Sequence, residues 1–220
     1  MPPVFVIGIG GGSASGKTLL ARAWTAQAPL PTVLLPLDRY YRDLSSLPLP
    51  ERERVNFDHP QALDIDAYVQ DLQRLAAQKP IHAPLYDFHT HTRTGSEWMA
   101  PQSLILAEGL LILALDPIFE LLDFYVFLDA PVSVRRERKI ERDMRERARS
   151  REYAARQFDE TVQPMFEQWV LPSLHRADLV LDGAQPVEEL ADVLGHAIQK
   201  ILQPPETAEK ADRRPHEGIT

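Results

Sequence analysis

Short apolar runs alternate with longer segments of helical spacing along most of the chain. The apolar runs have strand length and are rich in β-branched and aromatic residues, at residues 4–9, 32–37, 104–107, 124–128 and 178–181. Such runs are typical of buried parallel strands. Helical patterns lie between them at residues 17–28, 64–78, 131–149 and 186–202. Asp64 and Asp129 are the predicted N-caps of two of these helices. The alternation predicts an α/β sandwich with a parallel sheet of about five strands between helices.

A different pattern interrupts this alternation at residues 81–101, IHAPLYDFHTHTRTGSEWMAP. Polar and apolar residues alternate there, Gly95 is the central glycine, and a proline lies near each end, which predicts a β-hairpin over the sheet. The last segment, residues 204–220, has little apolar content and is predicted to be disordered. We therefore expect one folded domain over residues 1–203.

The composition limits the class of protein further. With 220 residues and 44% hydrophobic content, the chain can bury a sizeable core in one domain. No apolar run approaches the roughly 18 residues of a membrane span, and the start MPPVFVIGIG lacks the features of a signal peptide. The chain has no cysteine, which fits a reducing compartment. We expect a cytoplasmic protein without a membrane partner.

The charge is unevenly distributed along the chain. The net charge of -8 argues against a general nucleic-acid binder, yet residues 135–151 contain nine Lys or Arg and only four Asp or Glu. On an ideal helix, five of these side chains would share one face, at Arg135, Arg138, Arg142, Arg145 and Arg149. Glu141 and Asp143 precede Arg145 and Arg147 by four residues and offset part of the repulsion. Such a face is either simply solvated or a lid that closes over a triphosphate.

The stretch GIGGGSASGKT, Gly8 to Thr18, follows the first predicted strand and leads into the first predicted helix. It satisfies the P-loop pattern G-x-x-x-x-G-K-[ST], in which backbone N–H groups surround phosphates, the lysine reaches the outer phosphates and the hydroxyl binds Mg²⁺. A chance Gly/Ser turn is the alternative, which the flanking strand and helix disfavour. The stretch therefore predicts a nucleoside triphosphate site formed by Gly11, Gly12, Ser13, Ala14, Ser15, Gly16, Lys17 and Thr18.

Two acidic residues end predicted strands, at the sheet edge where ligands bind in open parallel sheets. Asp38 in LPLDRYYRDL follows the second strand and can accept the proton of an attacking hydroxyl. Glu108 in LILAEG ends the third and can steady Mg²⁺ or its water. The alternatives are a cap or turn residue for Asp38 and an ordinary strand-end acid for Glu108. We expect the metal ion near Thr18, Glu108 and Asp38.

Several motifs in order resemble those of the uridine kinase (uridine/cytidine kinase) family of P-loop nucleoside kinases. They are GGSASGKT, LDRYYRDL, NFDHPQALD, PLYDFHTHTR, LAEG, the ERD and ERAR pair, and QPMFEQWVLPSLHRAD, which together extend over residues 4–183. The P-loop alone is generic, whereas NFDHP together with the YDFHTHTR hairpin is specific. The resemblance implies a P-loop α/β/α sandwich that transfers the γ-phosphoryl group of ATP, with Mg²⁺, to the 5′-hydroxyl of uridine or cytidine.

The resemblance also implies roles for individual residues. Asp38 would be the general base and Lys17 would bind phosphate, with Arg142 and Arg147 facing the phosphates from a lid over residues 131–158. The nucleoside would be bound by Tyr41, Phe57, Asp58, Tyr86, Phe88, His91, Lys139, Arg149 and Gln157. Independently of the resemblance, a flat base needs aromatic walls and a donor or acceptor such as histidine. The resemblance further implies a homo-oligomer, commonly a tetramer in this family, with no nucleic-acid partner.

The chain departs from the family pattern in the arginine-rich segment. Family members commonly have glycine at the position of Ala148 and arginine at the position of Lys139. Alanine favours a continuous helix, so we expect the hinge of the lid to be stiffer or to lie elsewhere. Lysine keeps the charge and loses the bidentate geometry of arginine.

Two alternative functions remain open from the sequence. One is a related small-molecule kinase such as a phosphoribulokinase or pantothenate kinase, which would lack the hairpin motif. The other is a non-catalytic P-loop module that binds nucleotide and uses the arginine-rich helix on RNA. The presence of Lys17, Asp38 and Glu108 disfavours the second alternative, because binding alone needs no base.

Overall fold

A five-stranded parallel sheet forms the centre of the computed structural model, which describes residues 4–147 and 149–203. The order across the sheet is β2-β5-β1-β6-β7, and all neighbouring pairs are parallel. The predicted strands are confirmed, with small shifts at their ends. The strands of this sheet are β1 (Phe5–Gly11), β2 (Thr32–Pro36), β5 (Leu104–Glu108), β6 (Phe124–Asp129) and β7 (Leu179–Asp182).

Helices connect the strands as the hydrophobic pattern predicts. The α-helices are α1 (Lys17–Gln27), α2 (Leu49–Arg52), α3 (Ile65–Ala76), α4 (Asp116–Phe119), α5 (Val132–Arg147), α6 (Arg151–Gln157), α7 (Gln163–Met165) and α8 (Val187–Leu202). Asp64 caps α3, because its carboxylate accepts a hydrogen bond from the N–H of Ala67. The predicted cap Asp129 is wrong: this residue ends β6, and α5 begins only at Val132.

Side chains of alternate residues in the central strands pack into two hydrophobic clusters, one on each side of the sheet. On one side, Ile7 and Leu106 pack with Trp24 of α1 and Leu194 of α8. On the other side, a second cluster includes residues of β1, β2, α3, β5 and β6, among them Val6, Leu35, Leu72, Ile105 and Phe127. The helices therefore cover both faces of the sheet and leave the carboxyl ends of its strands accessible.

The predicted β-hairpin is present as a separate two-stranded antiparallel sheet, β3 (Ile81–Asp87) with β4 (Thr92–Met99). Gly95 is not at its turn, however. It lies inside β4 opposite Leu85, next to a register shift, and residues 88–91 form the turn. Asp87 stabilises that turn by accepting hydrogen bonds from the N–H of His89 and the hydroxyl of Thr90, so polar side chains rather than glycine close the hairpin.

The arginine-rich helix is shorter than the sequence predicts. It ends at Arg147 instead of continuing to residue 149, because Ser150 caps a new helix: its hydroxyl accepts a hydrogen bond from the N–H of Tyr153. After α6, the chain continues through two π-helical turns, Phe158–Val162 and Phe166–Val170, on either side of the proline-containing α7. The predicted disorder of residues 204–220 lies outside the described residues. None of the helices in the described part of the chain is long and apolar enough to cross a membrane.

Candidate active site

The P-loop connects β1 to α1 at the carboxyl edge of the sheet. Gly11 and Gly16 have φ angles of 138° and 106°, in the region that favours glycine, and Gly16 occupies the N-cap of α1. The first N–H groups of a helix lack partners within it, so the start of α1 offers donors to an anion. The Lys17 ammonium donates to the carbonyl oxygen of Gly12 at 2.8 Å and is thus kept beside the loop.

Two carboxylates lie next to this loop, that of Asp38 half-buried and that of Glu108 buried. Asp38 stands in a short 3-10 turn, Leu37–Tyr40, that directly follows β2, and Glu108 ends the neighbouring strand β5. The Thr18 hydroxyl donates to Oε1 of Glu108 at 3.0 Å. Burial raises the pKa of Asp38, and burial together with the charge of Asp38 raises the pKa of Glu108 to about 7. Burial lowers the pKa of Lys17 to about 8, against the opposing charge of Glu108.

The hydroxyl of Thr18 and the carboxylates of Glu108 and Asp38 fit a magnesium ion that is bound together with phosphates. Mg²⁺ commonly uses one or two protein carboxylates, water and substrate phosphate oxygens rather than a complete protein cage. Accordingly, residues 4–147 and 149–203 contain no cluster of three or more His, Cys, Asp or Glu arranged as metal ligands. The Glu108 carboxyl group is in contact with the Thr18 hydroxyl, and burial and the charge of Asp38 raise its pKa, so it is a suitable partner for a cation.

An aromatic cluster forms the opposite wall of the same cleft. The ring of Tyr41 packs edge-on against Phe57 with centroids 5.2 Å apart and lies 5.3 Å from Tyr86. Phe57 stacks on His91 at 4.5 Å, and Phe88 contacts both tyrosines. Asp58 is adjacent, and burial raises the pKa of its carboxyl group. Two distant segments, the loop after β2 and the hairpin, therefore supply one apolar surface that also carries the carboxylate of Asp58 and the imidazole of His91.

His91 occupies a constrained position in this wall. Its φ angle is 54°, and its side chain is only 6% exposed. Burial lowers the pKa of the imidazole, and the charges of Arg147 and Arg149 lower it further. The ring is therefore neutral near pH 7, with one nitrogen able to donate a hydrogen bond and the other able to accept one.

The cleft has a volume of about 400 Å³ and brings most of the predicted site residues together. From the sequence prediction, its walls contain Ser13, Ala14, Gly16, Lys17, Thr18, Asp38, Tyr41, Phe57, Asp58, Tyr86, Phe88, His91, Glu108, Arg142 and Arg147. Lys139, Arg149 and Gln157 line an adjoining hollow of about 80 Å³ that shares Tyr41, Phe57, Asp58 and His91 with the cleft. Gly11, Gly12 and Ser15 are buried in the loop itself.

The arginines of α5 do not form the single face that the sequence predicts. Arg135 is 2% exposed inside the protein, and Arg149 lies beyond the end of the helix. Arg138 donates to the carbonyl oxygen of Gly183 at 2.7 Å, and Arg145 is exposed and pairs with Glu146 rather than with Glu141. The five arginines are therefore divided between the interior, the cleft and the solvent-exposed surface, since each side chain packs against different neighbours. A continuous basic surface of five arginines for RNA is absent from the described helix.

Two residues outside the predicted set of site residues organise the site. Asp143 is a fully buried residue of α5 that contacts Lys139 and lies 3.5 Å from Arg147 and 3.8 Å from Arg149. The i, i+4 spacing of Asp143 to Arg147 was visible in the sequence, whereas its pairing with Lys139 and Arg149 was not. Arg93 connects the hairpin to the body by donating to the carbonyl oxygen of Tyr41 at 3.0 Å and to Asp64 at 3.2 Å.

A P-loop at the carboxyl edge of a parallel sheet, with two carboxylates beside it and an aromatic wall opposite, is the arrangement of a P-loop small-molecule kinase. The chain matches the family described as Phosphoribulokinase / Uridine kinase over residues 6–189, and it belongs to that family. It is therefore a kinase, and ATP is the phosphoryl donor that the family implies.

Individual relatives agree with this assignment. The chain is 38% identical over 200 residues to the uridine kinase of Streptococcus pyogenes serotype M5 (strain Manfredo), which covers 90% of this chain and 96% of that protein. It is 37% identical over 199 residues to the uridine kinase of Lactiplantibacillus plantarum, covering 90% and 95%. The structure of phosphoribulokinase from Rhodobacter spheroides superposes with a TM-score of 0.59 at 14% identity, over 82% of this chain and 70% of that one, and shows the same fold. The resemblance inferred from the motifs is thus confirmed.

Proposed function

We propose that the protein transfers the γ-phosphoryl group of ATP to the 5′-hydroxyl of uridine or cytidine and so produces UMP or CMP for pyrimidine salvage. The observation that carries this proposal is the shared cleft: the P-loop with Asp38 forms one wall, and the aromatic cluster with Asp58 and His91 forms the other. The uridine kinases to which the chain is similar support the choice of acceptor.

Asp38 is the general base in this proposal. Its carboxylate accepts the proton of the 5′-hydroxyl as the hydroxyl oxygen attacks the γ-phosphorus, and the bond to the bridging β-phosphate oxygen breaks. Because burial raises the pKa of Asp38, the carboxylate is a stronger base than an exposed aspartate. Lys17 at the P-loop, with Arg142 and Arg147 from the lid, offsets the charge on the transferred group.

Mg²⁺, when bound, neutralises part of the charge of the phosphates, and Thr18 and Glu108, with Asp38 nearby, are the residues that would hold it. Asp58 binds the ribose hydroxyls beside Phe57. The rings of Tyr41, Tyr86 and Phe88 surround the pyrimidine, and His91 hydrogen-bonds to its edge. Lys139, Arg149 and Gln157 border the nucleoside from the adjoining hollow, where Arg149 donates to Gln157 at 2.7 Å.

On the resemblance to the family, we also propose that residues 1–203 act as one kinase domain with residues 131–158 as its lid. The proposal includes a homo-oligomer, a tetramer in the family pattern, that works in the cytoplasm without a nucleic-acid or membrane partner. Size-exclusion chromatography with light scattering would distinguish a tetramer from a monomer.

The test is ADP release from Mg-ATP with a panel of acceptors: uridine, cytidine, adenosine, pantothenate, ribulose 5-phosphate and none. We expect release only with uridine or cytidine. Release with pantothenate or ribulose 5-phosphate alone would replace the proposed acceptor while keeping the kinase. ATP binding without ADP release for any acceptor would contradict the proposed reaction, and RNA binding that weakens steeply with salt would then indicate a binding module.

A further inference from the structure

Arg135 is a buried cation that the proposed reaction does not use. It lies in the first turn of α5 and is only 2% exposed. Its Nε donates to the carbonyl oxygen of Ala130 at 3.2 Å, and its Nη2 donates to the side-chain oxygen of Gln163 at 2.8 Å. The guanidinium carbon lies 3.9 Å from the ring centroid of Phe166 and 5.8 Å from that of Phe158. Its position is thus fixed on several sides.

The residues around the guanidinium come from the irregular helical region that follows the lid. Phe158 begins the first π-helical turn, Gln163 begins α7 and Phe166 begins the second π-helical turn. π-helical turns are rare and often occur near functional sites. Here they bring two aromatic rings and one amide oxygen to the same arginine.

The guanidinium packs directly against the P-loop. A side-chain carbon added at Gly12 would come within 2.9 Å of both Cδ and Nη1 of Arg135, and within 3.0 Å of Phe166. Gly12 is the residue whose carbonyl oxygen accepts the hydrogen bond from Lys17. Arg135 therefore packs against the same loop residue whose carbonyl oxygen holds the phosphate-binding lysine.

The charge of Arg135 has no close counter-charge. Within residues 4–147 and 149–203 no carboxylate forms an ion pair with it, and its buried Nη1 makes no hydrogen bond. Burial lowers the pKa of Arg135, with the charges of Asp129 and Glu167 opposing, yet a guanidinium stays protonated in proteins. A buried charge without a partner is costly unless another charge compensates for it. A triphosphate in the P-loop would supply that charge.

We propose that Arg135 is a positioning residue for nucleotide binding: it supports the P-loop backbone at Gly12 and places a fixed positive charge behind the loop. It acts through the loop and does not touch the phosphates. The inference rests on nucleotide binding by the P-loop and not on the identity of the acceptor. Its test therefore uses ADP with Mg²⁺ and no nucleoside, so that a wrong acceptor in the proposed function would leave the result unaffected.

The first experiment compares Arg135→Met and Arg135→Lys with the wild type by calorimetric titration with Mg-ADP. One unit charge near the phosphates, screened as in a partly solvated site, corresponds to a loss of affinity of about 10- to 30-fold for Arg135→Met. Arg135→Lys keeps the charge and loses the planar contacts, so we expect an intermediate loss. In steady-state assays with the active acceptor, KM for ATP should rise and KM for the acceptor should stay within about twofold.

Arg136→Met is the matched control, because Arg136 is the next residue on the same helix and pairs at the surface with Asp159. It removes the same charge without a contact to the loop, and its ADP affinity should stay within about twofold of the wild type. Equal losses in Arg135→Met and Arg136→Met would reduce the effect to net charge and overturn the proposal. An Arg135→Met protein that melts earlier and binds ADP like the wild type would make Arg135 a stability residue only.

A second variant covers the case in which Arg135→Met does not fold. Gln163→Leu keeps the arginine and removes the acceptor of its Nη2, so the guanidinium is less well fixed beneath Gly12. We expect ADP affinity to fall severalfold, again with an unchanged KM for the acceptor. Unchanged ADP affinity in a folded Gln163→Leu protein would contradict a positioning role that depends on this fixed geometry.

Discussion

At the scale of single residues, burial sets the protonation of the site. Asp38, Asp58 and Glu108 are carboxyl groups whose pKa values burial raises, and Lys17 is an ammonium whose pKa burial lowers. Desolvation disfavours every charged form, so each group is closer to its uncharged state than it would be in water. A bound metal ion would favour the charged form of the carboxyl groups, and bound phosphates would favour the charged form of Lys17.

Replacement of the proposed base gives the first prediction. Asp38→Asn keeps the shape of the side chain and removes its ability to accept a proton, so kcat should fall by about 10²- to 10⁴-fold. The affinity for Mg-ADP, measured by calorimetry, should stay within a few-fold of the wild type. A variant within a few-fold of wild-type turnover would remove Asp38 from the role of base.

The imidazole of His91 gives a prediction about pH and stability. Its pKa in the folded protein lies below the value of the unfolded chain, about 6.5, because of burial and the nearby arginines. The unfolded state therefore binds more protons as the pH falls below about 6.5, and stability is lost through that window down to the lowered folded pKa. Urea unfolding at about pH 7.5 and 5.5 should show a smaller loss of stability in His91→Asn than in the wild type.

Asparagine is chosen for this variant because it tolerates the positive φ of His91 better than alanine does. An equal pH-dependent loss in both proteins would show that the folded and unfolded pKa values of His91 do not differ. The same variant should raise KM for uridine or cytidine more than KM for ATP if His91 contacts the base.

At the scale of elements, the lid is organised by one acidic residue in a basic helix. Asp143 is buried among Lys139, Arg147 and Arg149, which reach it from α5 and from the start of the next segment. Burial lowers the pKa of Lys139, and the charge of Asp143 opposes this shift. The carboxylate thus fixes the relative positions of three cations that border the proposed nucleoside and phosphate sites.

Removal of this carboxylate should destabilise the protein. Asp143→Asn leaves Lys139 buried without its counter-charge, and breaking a buried pair typically costs about 3–5 kcal/mol. The free energy of unfolding should fall by that order in urea denaturation. Glu141→Gln is the matched control on the same helix, since Glu141 is exposed, and it should change stability by less than about 0.5 kcal/mol. A similar small change in Asp143→Asn would show that the pairs contribute little.

At the scale of the whole molecule, the parallel sheet brings the P-loop and the two carboxylates of the site together. β1, β2 and β5 are neighbours in the order of the sheet, so their carboxyl ends place the P-loop, Asp38 and Glu108 side by side. The hairpin and the lid add the aromatic and cationic walls from other parts of the chain. Ligand binding should therefore stabilise the fold as a unit.

Nucleotide binding should raise the melting temperature. At a concentration of Mg-ADP 100 times its Kd, the added stability is about 2.7 kcal/mol. For a domain of this size, each kcal/mol corresponds to roughly 2–4 °C, so we expect a rise of about 5–11 °C by calorimetry. Lys17→Met should lose most of this rise. An equal rise in that variant would place the bound nucleotide away from the P-loop.

Much of the fold and part of the site could be predicted from local pattern. Apolar runs and helical spacing identified the strands and the main helices, because these periods depend on residues close in sequence. The same reason explains why Asp64 was recognised as a cap and why the P-loop was recognised between β1 and α1. The errors also have local causes: polar side chains of Asp87 and Thr90 close the hairpin turn without Gly95, and the Ser150 cap starts a new helix where continuation was expected.

The order of the elements, the phosphate-binding loop and the family follow from local sequence, since each depends on residue types at fixed short spacings. The surroundings of each charged side chain, in contrast, depend on tertiary packing. Arg135 and Arg138 appeared equivalent on an ideal helix, yet one is enclosed by Phe158, Gln163 and Phe166, and the other donates to Gly183. The partners lie 23 to 45 residues away in the chain, and their approach depends on how the region after the lid packs against the sheet. Spacing along a helix sets the direction of a side chain, whereas the fold sets what it meets.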